Sequence, residues 1–468
     1  MKKIAIIGGG ITGLSAAFYL EQARRAGAAL DFTLFEKSGR LGGALLTEVV
    51  DGCIVEGGAD SFLSEKPAAA ELCQELGIAD QLVGSNDAQR QTFIVHQKKL
   101  VPLPHGMSFF VPTDLKAIQN SKLFSTGGKK KVVSETSFQR TDERPQDLSV
   151  RDFVERHFGS EMVERVADPL LAGIYGGDAH QLSMQAVLPR FLEMEKQYGS
   201  LIRAMQETRA GTAKPLFSSL KNGMGELVDA LAEQLPSNAL RTSAEVGGLS
   251  LVAAKWKLKS KSAEGEFDAV VITTPTHAAA QLLNPTSPKI TKYLQQISYS
   301  SSATVALGFN QKTGSKALSG LEGFGFLVPH AAGHRALACT FVHNKFPRRV
   351  PAGRALLRIF FGGVHDEAVL QLTDDDLVAL ARRELSALLN VKDEPEFARV
   401  HRWPCSMPQY NVGHKELTNT VAASVNEFPG LILAGSAYGG VGIPDCIRQG
   451  RDAARQLIGE ARAYKSAT

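Results

Sequence analysis

Short apolar runs without alternation stand at Ile4-Ala5-Ile6-Ile7, Ala269-Val270-Val271-Ile272 and Leu431-Ile432-Leu433. Strands of a parallel sheet have this pattern, because both of their faces are covered and no polar alternation survives. The first run stops at Gly8-Gly9-Gly10 and the last at Ala434-Gly435. From Leu14 to Ala26, Leu14, Ala17, Phe18 and Ala23 mix with Glu21, Gln22, Arg24 and Arg25, which predicts an amphipathic helix. A second strand, Phe32 to Phe35, follows it, and another amphipathic helix is predicted from Ile447 to Ala461. Residues 300 to 361 alternate and are rich in Val, Phe and Leu, as an antiparallel sheet would be. Residues 112 to 210 are mostly of helical spacing, clearest in Val150 to Phe158 and Met162 to Ala172, and the polar stretch Ser134 to Pro145 reads as a mobile loop.

Composition narrows the class. A chain of 468 residues with 44% apolar and 21% charged residues is a folded protein of two or three structural units, at roughly 100 to 200 residues per domain. The net charge of +4 is too small for a nucleic-acid footprint, so no nucleic-acid partner is expected. Cys53, Cys73, Cys339, Cys405 and Cys446 are scattered singly with no His at ligand spacing, which predicts reduced thiols, a cytoplasmic setting and no metal. The opening apolar run ends after four residues, too short for a signal-peptide core, and no run reaches the roughly 18 residues that span a bilayer. Met107 to Val111 and Leu123-Phe124 lie near Lys129-Lys130-Lys131. They read either as a peripheral membrane patch or as buried aromatics beside a solvated loop, and the second is favoured because no sustained amphipathic stripe joins them.

Gly8, Gly10 and Gly13, with Gly9, Ile11 and Thr12 between them, fit GxGxxG between the first strand and its helix, and Glu36 closes the second strand. Only glycine lets a pyrophosphate sit against bare N–H groups at a helix amino terminus, while the acid takes a ribose diol. The whole strand–helix–strand unit therefore points to a dinucleotide. Past the acid, Lys37-Ser38-Gly39-Arg40-Leu41-Gly42-Gly43 resembles the ExxxRxGG extension of two-dinucleotide-domain flavoproteins, in which the arginine and glycines line the FAD pyrophosphate. Ala44 stands where relatives often carry Lys or Arg. Gly57-Gly58-Ala59-Asp60-Ser61 resembles that group's second glycine turn near the flavin ring, and Val246 its adenine-side contact.

The segment from Ala434-Gly435 through Val441-Gly442-Ile443-Pro444-Asp445 to Ile447 resembles the terminal signature of the protoporphyrinogen oxidases. So do Pro169 to Asp178 with Leu182-Ser183, Gly323 to Pro329, Arg402-Trp403 and Ser406 to His414, in the family's order. The closest likeness is to the soluble bacterial branch, which includes enzymes acting on coproporphyrinogen III. The resemblance implies an α/β plus α+β architecture: a Rossmann-like two-dinucleotide-binding FAD domain of the amine oxidase/protoporphyrinogen oxidase superfamily, an antiparallel-sheet substrate domain and a helical domain. The segments would be 1–85, 215–290 and 400–468 for FAD; 86–111, 190–214 and 291–399 for substrate; and 112–189 for the helices. It further implies non-covalent FAD and six-electron oxidation of coproporphyrinogen III or protoporphyrinogen IX in three two-electron steps. Oxygen, or a quinone, would accept the electrons, with hydrogen peroxide as the product of oxygen. Relatives attach to membranes through the helical region, so peripheral membrane contact is kept in view, and a homodimer is left open. By motif, the Gly173 carbonyl would meet the pyrrole nitrogens, Leu327, Thr340 and Phe360 would wall the macrocycle, and Trp403, Gly435 and Val441 to Pro444 would join the cofactor contacts. No catalytic acid or base is assigned; His414 and Arg402 stand as a base and an anion clamp or as structural groups, and Thr92 falls where some relatives place a propionate-binding Arg. The alternatives are a flavin amine oxidase, a carotenoid-type desaturase and a non-catalytic flavin or porphyrin-binding module.

Overall fold

The computed structural model describes residues 1–140, 147–208, 215–260 and 264–459. Five strands form an all-parallel sheet in the order Leu240–Arg241, Leu30–Phe35, Lys2–Ile7, Ala269–Ile272, Leu431–Leu433. The register sets Ile7 opposite both Phe35 and Ile272, and Ile272 opposite Leu433, so the carboxyl ends of four strands open onto one edge. Ile4, Ala5 and Ile6 are fully buried, which explains their unbroken apolar run. The helices Ile11–Arg25 and Ile443–Ile458 pack together on one face of this sheet. Their close approach depends on Gly450, where a Cβ would lie 2.3 Å from the Thr12 carbonyl oxygen.

On the opposite face lies a three-stranded antiparallel sheet, Val246–Val252, Lys255–Ser260 and Glu264–Phe267. In its middle strand Trp256 and Leu258 point inward while the lysines between them point to solvent.

A second large sheet runs Phe397–Pro408, Tyr299–Asn310, Arg354–Gly362, Ala336–Phe341, Gly325–Leu327, Thr92–His96, Lys99–Pro102. It is mixed, not purely antiparallel as expected: Gly325–Leu327 and Thr92–His96, brought together from distant parts of the chain, run parallel. A boundary at residue 400 also cuts the strand Phe397–Pro408, whose pairing with Tyr299–Asn310 makes it part of this sheet. One face of the sheet is sealed. Phe326, Cys339, Ile359 and Val305 lie in one register row and are buried over the helix Asp374–Leu389.

The helical segments surround a core that contains Phe110, Phe153, Phe158 and Phe191. Val111, Leu123 and Phe124 are buried in the same core, so the apolar half of the proposed membrane patch is interior packing. The expected loop from Ser134 is also corrected in part. Ser134 ends the helix Thr126–Ser134, and buried Glu135 accepts hydrogen bonds from the N–H groups of Leu201 and Ile202 and the Ser200 hydroxyl. A carboxylate at that helix start takes up donors that have no intrahelical acceptor. Glu135–Ser137 continue as a short helical turn, and residues 141–145 of the expected loop and the expected helix end at Ala461 lie outside the described residues. No helix among the described residues is long and apolar enough to cross a membrane.

Candidate active site

The crevice begins where the first strand meets its helix. A Cβ on Gly8 (φ +112°) would come within 2.7 Å of Thr273 Oγ1, and one on Gly13 within 2.0 Å of the Gly8 carbonyl oxygen, so these two glycines let backbone pack on backbone. A Cβ on Gly9 would strike the Leu41 and Glu36 side chains. Gly10 differs: its Cβ would meet only Gly43 Cα, at 4.0 Å, and would otherwise enter open space. The helix that follows, opening with Ile11, Thr12 and Gly13, has no side-chain cap and no acid in its first turn. Its unshared N–H groups and positive dipole end suit an anion. The residues present therefore fit a dinucleotide pyrophosphate.

Around this cradle, Glu36 accepts hydrogen bonds from the Gly9 and Ser38 N–H groups at 2.8 Å each, which fixes its carboxylate at the strand end. Arg40 donates to the carbonyls of Leu41, Gly43 and Leu45, tying down the Gly42-Gly43 turn (φ +98° and +58°), while Lys37 and Ala44 are exposed on the same loop. Val246 lies just beyond Ala244, whose N–H donates to the Glu36 carbonyl, and is buried against Ile7 and Phe35.

The wall continues without side chains. Gly43 sits against Gly10, with its would-be Cβ at 3.1 Å from Gly10 Cα, and Gly58 sits against the Ala44 carbonyl so closely that a Cβ would overlap it at 1.8 Å. The Gly57 carbonyl accepts three hydrogen bonds: Thr304 Oγ1 at 3.0 Å, Trp403 Nε1 at 2.9 Å and Arg358 Nη2 at 3.1 Å. Arg358 also donates to the Gly58 carbonyl. Asp60 pairs with Lys345 Nζ at 3.1 Å and accepts from the Ser61 hydroxyl, while Glu56 pairs with Arg349 at 2.9 Å. Burial works to raise the Asp60 pKa, but Lys345, Arg358, Ser61 and Arg349 overcome it and hold the carboxyl well below its usual range. For Glu56 burial prevails over Arg349, and its pKa is raised.

Leu327, Thr340 and Phe360 share the open face of the large sheet. Leu327, Ala338, Phe360 and Thr304 form one register row, with Gly325, Thr340 and Arg358 in the next row of the same face. Thr92, paired with Gly325, lies there too. Leu327, Thr340, Phe360 and Thr92 are half-buried, while Ala338, Thr304, Gly325 and Arg358 on the same face are buried, as are the counterparts on the sealed face. Opposite stands Gly173 on the helix Asp168–Tyr175, where a Cβ would be 3.4 Å from Leu327 Cδ2. Gly176 (φ +56°) ends that helix, and the Tyr175 carbonyl accepts from Gln409 Nε2 at 2.8 Å and Ser300 Oγ at 3.2 Å. Gln409 thus sews the helix end to the sheet.

At the far side of the crevice, Gly435 (φ +134°) follows the last strand, and Gly442 opens the helix Ile443–Ile458 without a side-chain cap. Ile443 and Pro444 are buried in its first turn, Val441 reaches the helical core, and Asp445 pairs with Lys66 Nζ at 2.6 Å. The Tyr410 hydroxyl donates to the Ser436 carbonyl and accepts from the Gly440 N–H. His414 stacks on Tyr410 at 4.0 Å between ring centroids, and burial pushes its imidazole down to about 4. A base role for His414 is therefore disfavoured. Arg402 is not an anion clamp, since it bonds Asp374 and the Leu370 and Leu372 carbonyls at the helix beyond the sheet. Sequence reasoning missed Arg358, Thr304 and Gln409. For Arg358 a signal existed: a charged residue inside the apolar strand run Ala355 to Phe361.

A parallel sheet whose carboxyl edge carries a pyrophosphate cradle and a second, side-chain-free turn, roofed by the open face of another sheet, defines a flavin-dependent oxidoreductase with FAD as its cofactor. The chain belongs to the flavin containing amine oxidoreductases, the family whose sequence pattern matches residues 11–458. It is 36% identical over 468 residues to the coproporphyrinogen III oxidase of Bacillus subtilis (strain 168), an alignment covering 98% of each chain. With the coproporphyrinogen III oxidase of Staphylococcus aureus (strain NCTC 8325 / PS 47) it is 32% identical over 473 residues, covering 98% and 99%. The crystal structure of a protein from Exiguobacterium sp. 255-15 superposes with a TM-score of 0.88 at 31% identity, covering 98% of this chain and 99% of that one.

Proposed function

We propose that this enzyme oxidises a porphyrinogen to the porphyrin, with coproporphyrinogen III as the preferred substrate, oxygen as acceptor and hydrogen peroxide as product. The observation that carries the reading is the half-buried apolar face of Leu327, Thr340 and Phe360, which lies directly against Gly173. The flavin, when bound, supplies two-electron acceptance from a saturated bridge carbon.

The chain's own residues position and desolvate. Leu327 and Phe360 offer apolar surface to a flat macrocycle and exclude water from its bridge carbons. The Gly173 carbonyl belongs to the helix end that lacks i+4 donors, and it accepts a hydrogen bond from pyrrole N–H. Gln409 and Ser300 hold that helix end still. Glu36, Arg40, Gly42 and Gly43 hold the nucleotide end, with Val246 beside the adenine. Ala59, Ser61, Trp403, Gly435 and the Val441 to Pro444 turn surround the ring end. In this reading 1–85, 215–290 and the chain beyond Pro408 bind FAD, the large sheet binds substrate, and 112–189 closes the slot.

The test is anaerobic mixing of the yellow holoenzyme with coproporphyrinogen III and, separately, protoporphyrinogen IX. Bleaching of the visible flavin band, faster with the coproporphyrinogen, followed by porphyrin fluorescence and peroxide once air is admitted, is the expected result. A flavin that stays oxidised with both substrates overturns the assignment.

A further inference from the structure

Four buried charged side chains and half-buried Asp60 lie behind the Gly57-Gly58 turn, and they do not balance: Lys345, Arg349 and Arg358 face Glu56 and Asp60. Lys345 pairs with Asp60 and Arg349 with Glu56. Among the described residues Arg358, only 3% exposed, makes no ion pair, although Asp60 and Glu56 lie near enough to act on its charge. Its Nη2 donates to two backbone carbonyls, its Nε is left without a partner among the described residues, and its guanidinium lies 4.8 Å from the Phe360 ring centroid. Burying a cation that spends its hydrogen bonds on main-chain carbonyls is costly, so its placement calls for a purpose at that turn.

What Arg358 does to the turn follows from peptide geometry. In a trans peptide the C=O and the next N–H point in opposite directions. Thr304, Trp403 and Arg358 draw the Gly57 carbonyl toward the sheet, so the Gly58 N–H faces away from it. Arg358 draws the Gly58 carbonyl the same way, which turns the Ala59 N–H outward beside it. Among the described residues no acceptor within the chain meets either N–H, whereas the Gly57 N–H is used by the Leu46 carbonyl at 2.7 Å. Gly58 packs against the Ala44 carbonyl, one residue past the bare Gly43–Gly10 contact.

We propose that Arg358 is a positioning residue that, through the Gly57 and Gly58 carbonyls, aims two polarised N–H groups at the flavin ring and so favours its reduced, electron-rich state. Hydrogen bonding at the carbonyl strengthens donation by the same peptide's N–H, and preorganised donors stabilise the negative charge that reduction brings. The inference rests on the reading that the ring lies over this turn.

The experiment is a dithionite titration of the purified holoenzyme against a reference dye. Arg358→Met is expected to bind FAD and to shift the oxidised–reduced equilibrium toward the oxidised form by about tenfold, about 30 mV for a two-electron couple. Arg358→Lys, which keeps the charge and loses the fork, falls between it and wild type. An Arg358→Met holoenzyme with the wild-type potential overturns the proposal. Where Arg358→Met does not fold, Thr304→Val and Trp403→Phe remove neutral donors to the same carbonyl; a lowered potential in either supports the proposal, and wild-type potentials in both overturn it. Ala59→Leu tests the underlying reading separately. A changed visible absorption and circular dichroism of the flavin places the ring at the turn, and unchanged spectra remove that premise whatever the potentials show.

Discussion

Gly10 and Gly13 lie in one turn, yet a methyl group at each meets a different fate. At Gly13 it would lie 2.0 Å from the Gly8 carbonyl oxygen, and the strand and helix would have to separate, a cost of about 1–3 kcal/mol or more. At Gly10 it would enter open space at the helix start, where the proposed pyrophosphate site lies, with its nearest neighbour Gly43 Cα at 4.0 Å. Gly10→Ala is therefore expected to fold with a near wild-type melting temperature and a low FAD-to-protein ratio, while Gly13→Ala loses thermal stability even before FAD is considered. Absorbance ratios and melting curves of the two proteins check this, and equal melting losses would contradict it. The spacing of these glycines was legible from the sequence because Gly8 and Gly13 serve backbone contacts that no side chain permits and Gly10 keeps the helix start bare. The separate tasks of Gly10 and Gly13 were not legible, since they depend on what stands opposite each one.

The helix His414–Val425 begins at Gly413 (φ +88°) with His414 buried in its first turn and stacked on Tyr410. Burial removes water from the ring, and the positive end of the helix dipole also disfavours an imidazolium there. In the folded protein the pKa falls to about 4 from the ordinary value near 6.5, so the unfolded chain takes up the proton first as the medium is acidified. The stability contributed by neutral His414 is complete above about pH 6.5 and is lost as the pH falls toward 4, by up to about 3 kcal/mol. His414→Gln is expected to flatten that part of the stability profile. Urea unfolding of both proteins at a series of pH values measures the difference, and parallel profiles would show that His414 does not carry it. Helices such as Ile11–Arg25 and Val150–Phe158 were readable from their periodicity, while His414–Val425 was not read as a helix. The parallel pairing of Gly325–Leu327 with Thr92–His96 was not, because it joins two stretches that no local pattern relates.

Across the molecule, the slot depends on a seam between the helical segment and the large sheet. Gln409, 3% exposed, donates to the carbonyls of Tyr175 and Met407 and to Ser300 Oγ, and Gly176 and Gly363 abut so closely that neither tolerates a side chain. Gln409→Leu removes these donors and leaves buried carbonyls short of partners, at about 1–3 kcal/mol. The expected outcome is a porphyrinogen KM raised on the order of tenfold with unchanged FAD content, because Gly173 moves and the cradle does not. Steady-state kinetics with the flavin-to-protein ratio checks it; a wild-type KM would separate the seam from substrate binding. Motifs at both ends of the chain made the parallel sheet and its glycine turns readable. Leu327, Thr340 and Phe360 come from three strands, and their common face became visible only through register.

The cofactor crevice draws its strands from Lys2–Ile7, Ala269–Ile272 and Leu431–Leu433 and its last helix from Ile443–Ile458. During translation at roughly 5–20 residues per second, the first strand waits on the order of 20–90 s for the last to emerge. Meanwhile Ala269–Ile272 offers an open edge, and the helix Ile11–Arg25 lacks the neighbour that Gly450 admits. The crevice is therefore complete only after the helix Ile443–Ile458 has been made. A chain stopped before that helix is expected to stay colourless and to keep an unpaired apolar strand edge open to chaperones.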